Sequence, residues 1–278
     1  MTNLQIDPLT PTIGAEIIGL DLAQPQDQAT YDAIYQALMD HLVIFFRDQM
    51  LPPAQHVALA ESFGNLGPPH PIYPHVDGYP QITKLENDAK RPPDTAEWHT
   101  DLTFKPTAPF SAVLWAKTIP PTGGDTLWSS LYASYEALSS DMQSHLSTLS
   151  AIHDMGSFRN NFAAMDNPEQ ALNENIGRIG QAIHPLVRTH PVTKRKFLFV
   201  NQSFTRHIVG MTARESDRLL QHLFDHLDQP EFQVRFRWRE NSLAIWDNRV
   251  TMHYAVADYL PHYRCMHRIT VVNDRRVA

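Results

Sequence analysis

The chain has 278 residues, 42% of them hydrophobic and 19% charged, a balance that supports a folded core and excludes an intrinsically disordered chain. With 30 acidic against 23 basic residues, the net charge of −7 argues against a general nucleic-acid or anionic-membrane surface. The single cysteine, Cys265, excludes a disulfide framework and a thiolate zinc cluster, whereas 15 histidines raise the question of a metal.

The opening segment MTNLQIDPLTPTIG has neither a basic n-region nor an apolar leader stretch, and no run reaches the roughly 18 apolar residues of a membrane span. A cytoplasmic protein with no membrane or nucleic-acid partner is expected. No repeat or linker divides the chain, so a single domain over residues 1–278 is expected. Near the start, Ile13-Gly14-Ala15 reads as a strand. Over Thr30–Leu42, Ile34, Leu38 and Leu42 form one helical stripe, and Leu42–Phe46 is a strand. Pro53–Phe63 opens on proline and stops at Gly64, the punctuation of a helix. Strands follow at Gln81–Leu85 and Phe110–Lys117, and Gly123-Gly124 is a strand-joining turn. The polar, weakly periodic stretch Gly156–Ala182 reads as a long loop or lid. After a strand at Lys196–Val200, Thr212 and Glu215 form a capping box for a helix ending at Leu227. Phe232, Val234, Phe236 and Trp238 alternate with polar residues as in a strand, and further strands are expected at Ser242–Trp246 and Arg264–Val272. Strands outnumber helices without alternating with them. That predicts an antiparallel sandwich with helices outside, not a doubly wound parallel sheet.

The chemistry centres on Trp98-His99-Thr100-Asp101. In an extended chain, residues two apart share a side, so His99 and Asp101 can hold one ion, two thirds of the facial triad that leaves positions open on Fe(II). Alone, the pair reads rather as a solvated loop than as a metal site. Downstream, Trp246-Asp247-Asn248-Arg249 leads to His253, and Arg264 and Arg268 follow on one strand. Period two puts both arginines on one face, roughly 13 Å apart, where burial would require anionic partners. A carboxylate or sulfonate would suit the guanidinium fork; solvated arginines are the alternative. His222 and His226 lie four apart on a helix but off its leucine stripe, so they read as solvated. No H-E-x-x-H and no phosphate loop is present.

Taken in order, HPIYPH, EWHTDLTF, TGGDTLW and AIWDNRVTMHYAVADYLPHYRCMHRIT resemble the taurine dioxygenase group of the Fe(II)/2-oxoglutarate-dependent dioxygenases. The resemblance runs from Ile13 to Asn273. It implies a mostly β fold with helices, a double-stranded β-helix or jelly roll with flanking helices. It further implies His99, Asp101 and His253 as Fe(II) ligands, and Thr126 and Arg264 on the distal carboxylate of 2-oxoglutarate. Arg268, counted with the cosubstrate site as well, joins His70 on the sulfonate. Tyr73 and Phe204 would line the pocket, with Leu102 beside the metal loop and Ser157-Phe158 as the retained pair of the group. Thr95 stands where taurine-cleaving relatives carry asparagine, which bears on recognition of the substrate amine. The implied reaction consumes O2 and 2-oxoglutarate and converts a small sulfonate, taurine first, to sulfite, an aldehyde (aminoacetaldehyde from taurine), succinate and CO2. The alternatives are alkyl sulfate esters, aryloxyalkanoates, or a non-catalytic sulfonate sensor. A homodimer or tetramer is implied. A protonated His70 would make sulfonate affinity weaken as pH rises through neutrality.

Overall fold

The computed structural model describes residues 4–93, 96–155 and 180–277. In chain order its strands are β1 (Gln5–Pro8), β2 (Ala15–Ile18), β3 (Val43–Phe46), β4 (His75–Val76), β5 (Tyr79–Asn87), β6 (Ser111–Thr118), β7 (Thr126–Ser130) and β8 (Ser150–His153). They continue as β9 (Ala182–Pro185), β10 (Val187–Thr189), β11 (Lys196–Leu198), β12 (Thr205–Ile208), β13 (Gln233–Phe236), β14 (Leu243–Asp247), β15 (Thr251–Ala255) and β16 (Arg264–Val271). The helices are α1 (Gln28–His41), α2 (Pro53–Phe63), α3 (Leu131–Glu136), α4 (Ser140–Leu146) and α5 (Ala213–Leu227).

One eight-stranded sheet runs β1-β2-β3-β14-β6-β16-β5-β4 and is antiparallel except between β2 and β3. A three-stranded sheet, β13-β7-β15, packs on one of its faces. The central strands explain the layering. In β3, Val43 and Phe45 join one core cluster while Ile44 and Phe46 join another. β6 and β14 divide in the same way: Leu114 and Trp246 face the first cluster, Val113 and Ile245 the second. Period two sends alternate side chains to opposite faces, and both faces are covered, so these strands read as unbroken apolar runs. Between the sheets, Phe45 stacks on Phe236 at 4.0 Å and meets Trp128 edge-on. Beneath the large sheet, Ile34 and Leu38 of α1 and Leu59 and Phe63 of α2 complete the second cluster. The architecture is a jelly roll with flanking helices, as expected.

Several local expectations shift. α1 begins two residues earlier than its leucine stripe suggests, because the Asp27 side chain accepts from Thr30 N–H and caps it. α2 matches its expected limits, and α5 shows both halves of the capping box. The strand expected over Phe232–Trp238 is shorter: Pro230–Phe232 forms a 3-10 turn, and the ladder stops where Phe236 meets Thr126, the first residue of β7. Strands β7 and β15 show no alternation in sequence because consecutive residues are buried on both sides, Thr251, Met252 and His253 among them. α3 and α4 are short helices capped by Ser130 and Ser139. Nearly all of Gly156–Ala182 lies outside the described residues; its last residue, Ala182, opens β9.

Candidate active site

β15 brings His253 to the mouth of the sandwich, and His99 pairs with it across a single antiparallel bridge. Each backbone N–H donates to the other residue's carbonyl, at 3.0 and 2.7 Å, and the rings lie 4.1 Å apart. Asp101 follows in the turn. Its Oδ1 is 3.8 Å from His99 Nε2 and 3.9 Å from His253 Nε2, and one ligand atom from each residue lies within 4.8 Å of the others. His99 Nδ1–H donates to the Glu97 carbonyl at 2.8 Å, so in the neutral ring Nε2 turns a lone pair toward the carboxylate. Burial first, and then the neighbouring His99, push His253 well below the usual imidazole range. Although burial pushes the Asp101 carboxyl up, Arg268 and the two imidazoles outweigh it and hold it below the usual carboxylate range. Lone pairs and one negative charge thus converge in a buried spot, the donor set that a divalent cation of borderline softness completes.

The turn that aims Asp101 is held from below. Asn248, fully buried, accepts from Asp101 N–H at 2.9 Å and donates to the carbonyls of Asp101 at 3.2 Å and Pro109 at 3.0 Å. Thr100 Oγ1 donates to the Thr251 carbonyl at 2.9 Å, and His184 Nε2 donates to the carbonyls of Thr103 and Lys105 at 2.8 and 3.1 Å. These contacts fix the backbone around Leu102, which has φ +54°. Asp247 and Arg249 of the same W-D-N-R stretch turn away into a separate buried network with His190 and Asp274. None of these supporting roles was assigned from the sequence, where Asn248 was only a spacer before His253.

Arg264 and Arg268 do share one face of β16, with Met266 between them in the inter-sheet core. Solvated arginines are excluded for Arg264, which is 6% exposed. Its Nε has no hydrogen-bond partner, and no carboxylate among the described residues forms an ion pair with it. It lies against the glycine turn: a Cβ on Gly124, whose φ is +71°, would come within 3.1 Å of Arg264 Nε. The Gly124 N–H is pinned by Asp258 Oδ1 at 2.8 Å, and two residues on Thr126 is buried, accepting from Trp238 Nε1 at 2.9 Å. A buried, unpaired guanidinium in a glycine-made recess is a fitting receptor for a carboxylate.

Arg268 donates to Asp101 Oδ2, and its Nε is buried without a partner. Nearby, His70 Nδ1 accepts from the N–H groups of Ile72 and Tyr73, both at 3.2 Å, which leaves Nε2 as the donor of the neutral ring. Burial, then the charge of Arg268, push His70 down to about 4. The expected change of charge near neutrality is therefore corrected: His70 is neutral at pH 7. The Tyr73 ring lies 4.6 Å from that of His70, and Phe204 meets His99 edge-on at 6.4 Å. A cavity of about 270 Å³ opens beside His70 and Leu102, walled by Pro68, Pro69, Phe104 and Val272. Thr95, Ser157 and Phe158 lie outside the described residues. His226 does not join His222 in a metal pair: it is half-buried and donates from Nε2 to the Ser134 carbonyl at 2.7 Å.

Two imidazoles and one carboxylate with open positions around them make a site for Fe(II) oxygen chemistry, and the recess at Arg264 suits a dicarboxylate cosubstrate. The class is that of the Fe(II)- and 2-oxoglutarate-dependent dioxygenases, enzymes that use Fe(II), 2-oxoglutarate and O2. Within it the chain belongs to the taurine catabolism dioxygenase TauD, TfdA family, which it matches over residues 5–270. It is 36% identical to an alkylsulfatase of Acinetobacter baylyi, over 98% of this chain and 86% of that protein. An alpha-ketoglutarate-dependent sulfate ester dioxygenase of Pseudomonas putida is 34% identical over 98% and 90%. The crystal structure of a taurine dioxygenase from Burkholderia xenovorans superposes with a TM-score of 0.83 at 37% identity, over 98% of this chain and 90% of that one. Among the described residues, no helix is long and apolar enough to cross a membrane.

Proposed function

We propose that the chain removes the sulfur group of a small organosulfur anion, a sulfate ester or a sulfonate, by hydroxylating the carbon that carries it. What supports this reading is the neutral His70 Nε2–H, close enough to Arg268 to feel its charge, on a cavity that has no acidic residue in its lining among the described residues. Such a cavity suits an organosulfur anion with a short body. The names of the relatives support both ester and sulfonate; taurine, first on the sequence, is the reference sulfonate.

In this reading His99, Asp101 and His253 hold the iron, and Arg264 with Thr126 holds the distal carboxylate of 2-oxoglutarate. When bound, iron and 2-oxoglutarate supply the oxidising power: O2 is reduced as 2-oxoglutarate loses CO2 to become succinate, and the second oxygen atom goes to the substrate carbon. Arg268 and His70 orient the anionic head so that the adjacent C–H, and not the tail, faces the metal. Phe204 and Leu102 restrict water at that point. The hydroxylated carbon then loses its hydroxyl proton and forms an aldehyde. A sulfonate leaves with the C–S electron pair as sulfite, and a sulfate ester leaves with the C–O pair as sulfate.

The test is turnover of taurine, propanesulfonate, hexyl sulfate and phenoxyacetate with Fe(II) and 2-oxoglutarate, following succinate, sulfite and sulfate together. Sulfite or sulfate in step with succinate is the expected result. Turnover of phenoxyacetate with no sulfur anion released from the other three would replace this reading with an aryloxyalkanoate oxygenase.

A further inference from the structure

Among its described lining residues, the cavity beside His70 carries one full positive charge and no negative one. Lys105 lines it together with Gln81, Thr83 and Thr270, which are neutral, and among the described residues no aspartate or glutamate lines it. Asp101 is the nearest acid by chain position, and it is engaged by Arg268. The backbone of Lys105 is fixed on both sides: its N–H donates to the Leu102 carbonyl at 3.0 Å, and its carbonyl accepts from His184. Only the exposed side chain is left to move, and no carboxylate among the described residues pairs with it. Burial of part of that side chain pushes its ammonium below the usual lysine range, and its charge helps to lower His70. Lys105 was not singled out from the sequence, where it follows the metal motif as an ordinary polar residue.

We propose that Lys105 reads the tail of the substrate, favouring an organosulfur anion whose far end carries a carboxylate over one whose far end carries an ammonium. This rests on the function proposed above. With the sulfur group held by Arg268 and His70, a short tail entering the cavity meets the positive charge of Lys105 and, among the described residues, no negative one. An ammonium tail such as that of taurine is repelled there, a neutral tail is indifferent, and a carboxylate is attracted. Because the lysine is partly solvated, each step of charge is worth up to about fivefold in relative kcat/KM.

Two matched series test this. The sulfonates are taurine, propanesulfonate and 3-sulfopropanoate; the esters are 2-aminoethyl sulfate, propyl sulfate and 3-sulfooxypropanoate. Release of sulfite or sulfate is followed for wild type, Lys105→Gln and Lys105→Glu, with the neutral-tailed member of each series as reference. The wild type should prefer the carboxylate tail to the ammonium tail. That ratio should fall by about threefold to fivefold in Lys105→Gln and again in Lys105→Glu, and the differences should shrink as salt is raised. A ratio that stays constant across the three proteins, while sulfur anions are still released, overturns the role of Lys105 and leaves the proposed function standing. No sulfur anion from any of the six substrates overturns both.

Discussion

Replacing Arg264 by methionine should move stability and cosubstrate binding in opposite directions. The side chain is 6% exposed, its Nε is unpartnered, and burial lowers its pKa, so without cosubstrate the folded protein carries the cost of an unpaired charge. Methionine keeps much of the stem volume beside Gly124 and Tyr259 and removes that charge. The protein without cosubstrate should therefore melt at the same temperature or higher, by about 1 kcal/mol or more of added stability. The bound carboxylate, in contrast, loses its fork. Truncating one member of a buried charged pair costs about 2–5 kcal/mol, and at about 3 kcal/mol the affinity for 2-oxoglutarate falls by about 150-fold. Thermal shift reads both effects. At a concentration about 100 times the wild-type Kd, 2-oxoglutarate stabilises the wild type by about 2.7 kcal/mol, whereas the variant should gain only about 0.3 kcal/mol. A full ligand-induced shift in Arg264→Met would refute the carboxylate role. A large loss of stability without ligand would mean that Arg264 is internally paired.

His99→Ala, Asp101→Ala or His253→Ala should abolish tight Mn(II) or Fe(II) binding measured by calorimetry, with the circular dichroism spectrum retained. Asn248→Ala leaves the Asp101 N–H and the Pro109 carbonyl without their partner, each costing about 1–3 kcal/mol, and should weaken metal binding about tenfold or more although all three ligands remain; unchanged affinity would make Asn248 merely structural. Because His70 is pushed down to about 4, KM for the sulfur substrate should be flat between pH 6 and 8, and His70→Gln should retain more affinity than His70→Ala by keeping a donor. The buried His56 and His153 are both lowered to about 3, so the unfolded chain takes up protons near pH 6.5 that the folded one refuses. Stability should fall as pH drops below about 6.5, by about 2 kcal/mol per histidine at pH 5, and a melting temperature constant from pH 7 to 5 would contradict this.

The sequence by itself determined the elements whose signals are local: the helix Pro53–Phe63, the capping box at Thr212 and Glu215, and the shared strand face of Arg264 and Arg268. It also carried the two-histidine, one-carboxylate set, because donor chemistry is a property of side-chain type, and the long motifs carried the fold class. Only the tertiary structure decided which groups are charged, paired or empty-handed. Desolvation sums over neighbours from distant parts of the chain, so His70 looked like a titrating residue until burial by the surrounding walls, and then the charge of Arg268, made it neutral. Asn248 is unremarkable in a list of residues and becomes the clamp on Asp101 only when β14 and β15 bring it beneath the metal turn. β7 and β15 had no alternation to detect, because cover on both faces erases the period-two signal that an exposed face would leave. That Lys105 lines a cavity with no acid among its described lining residues is likewise a fact about space, and spacing along the chain does not encode it.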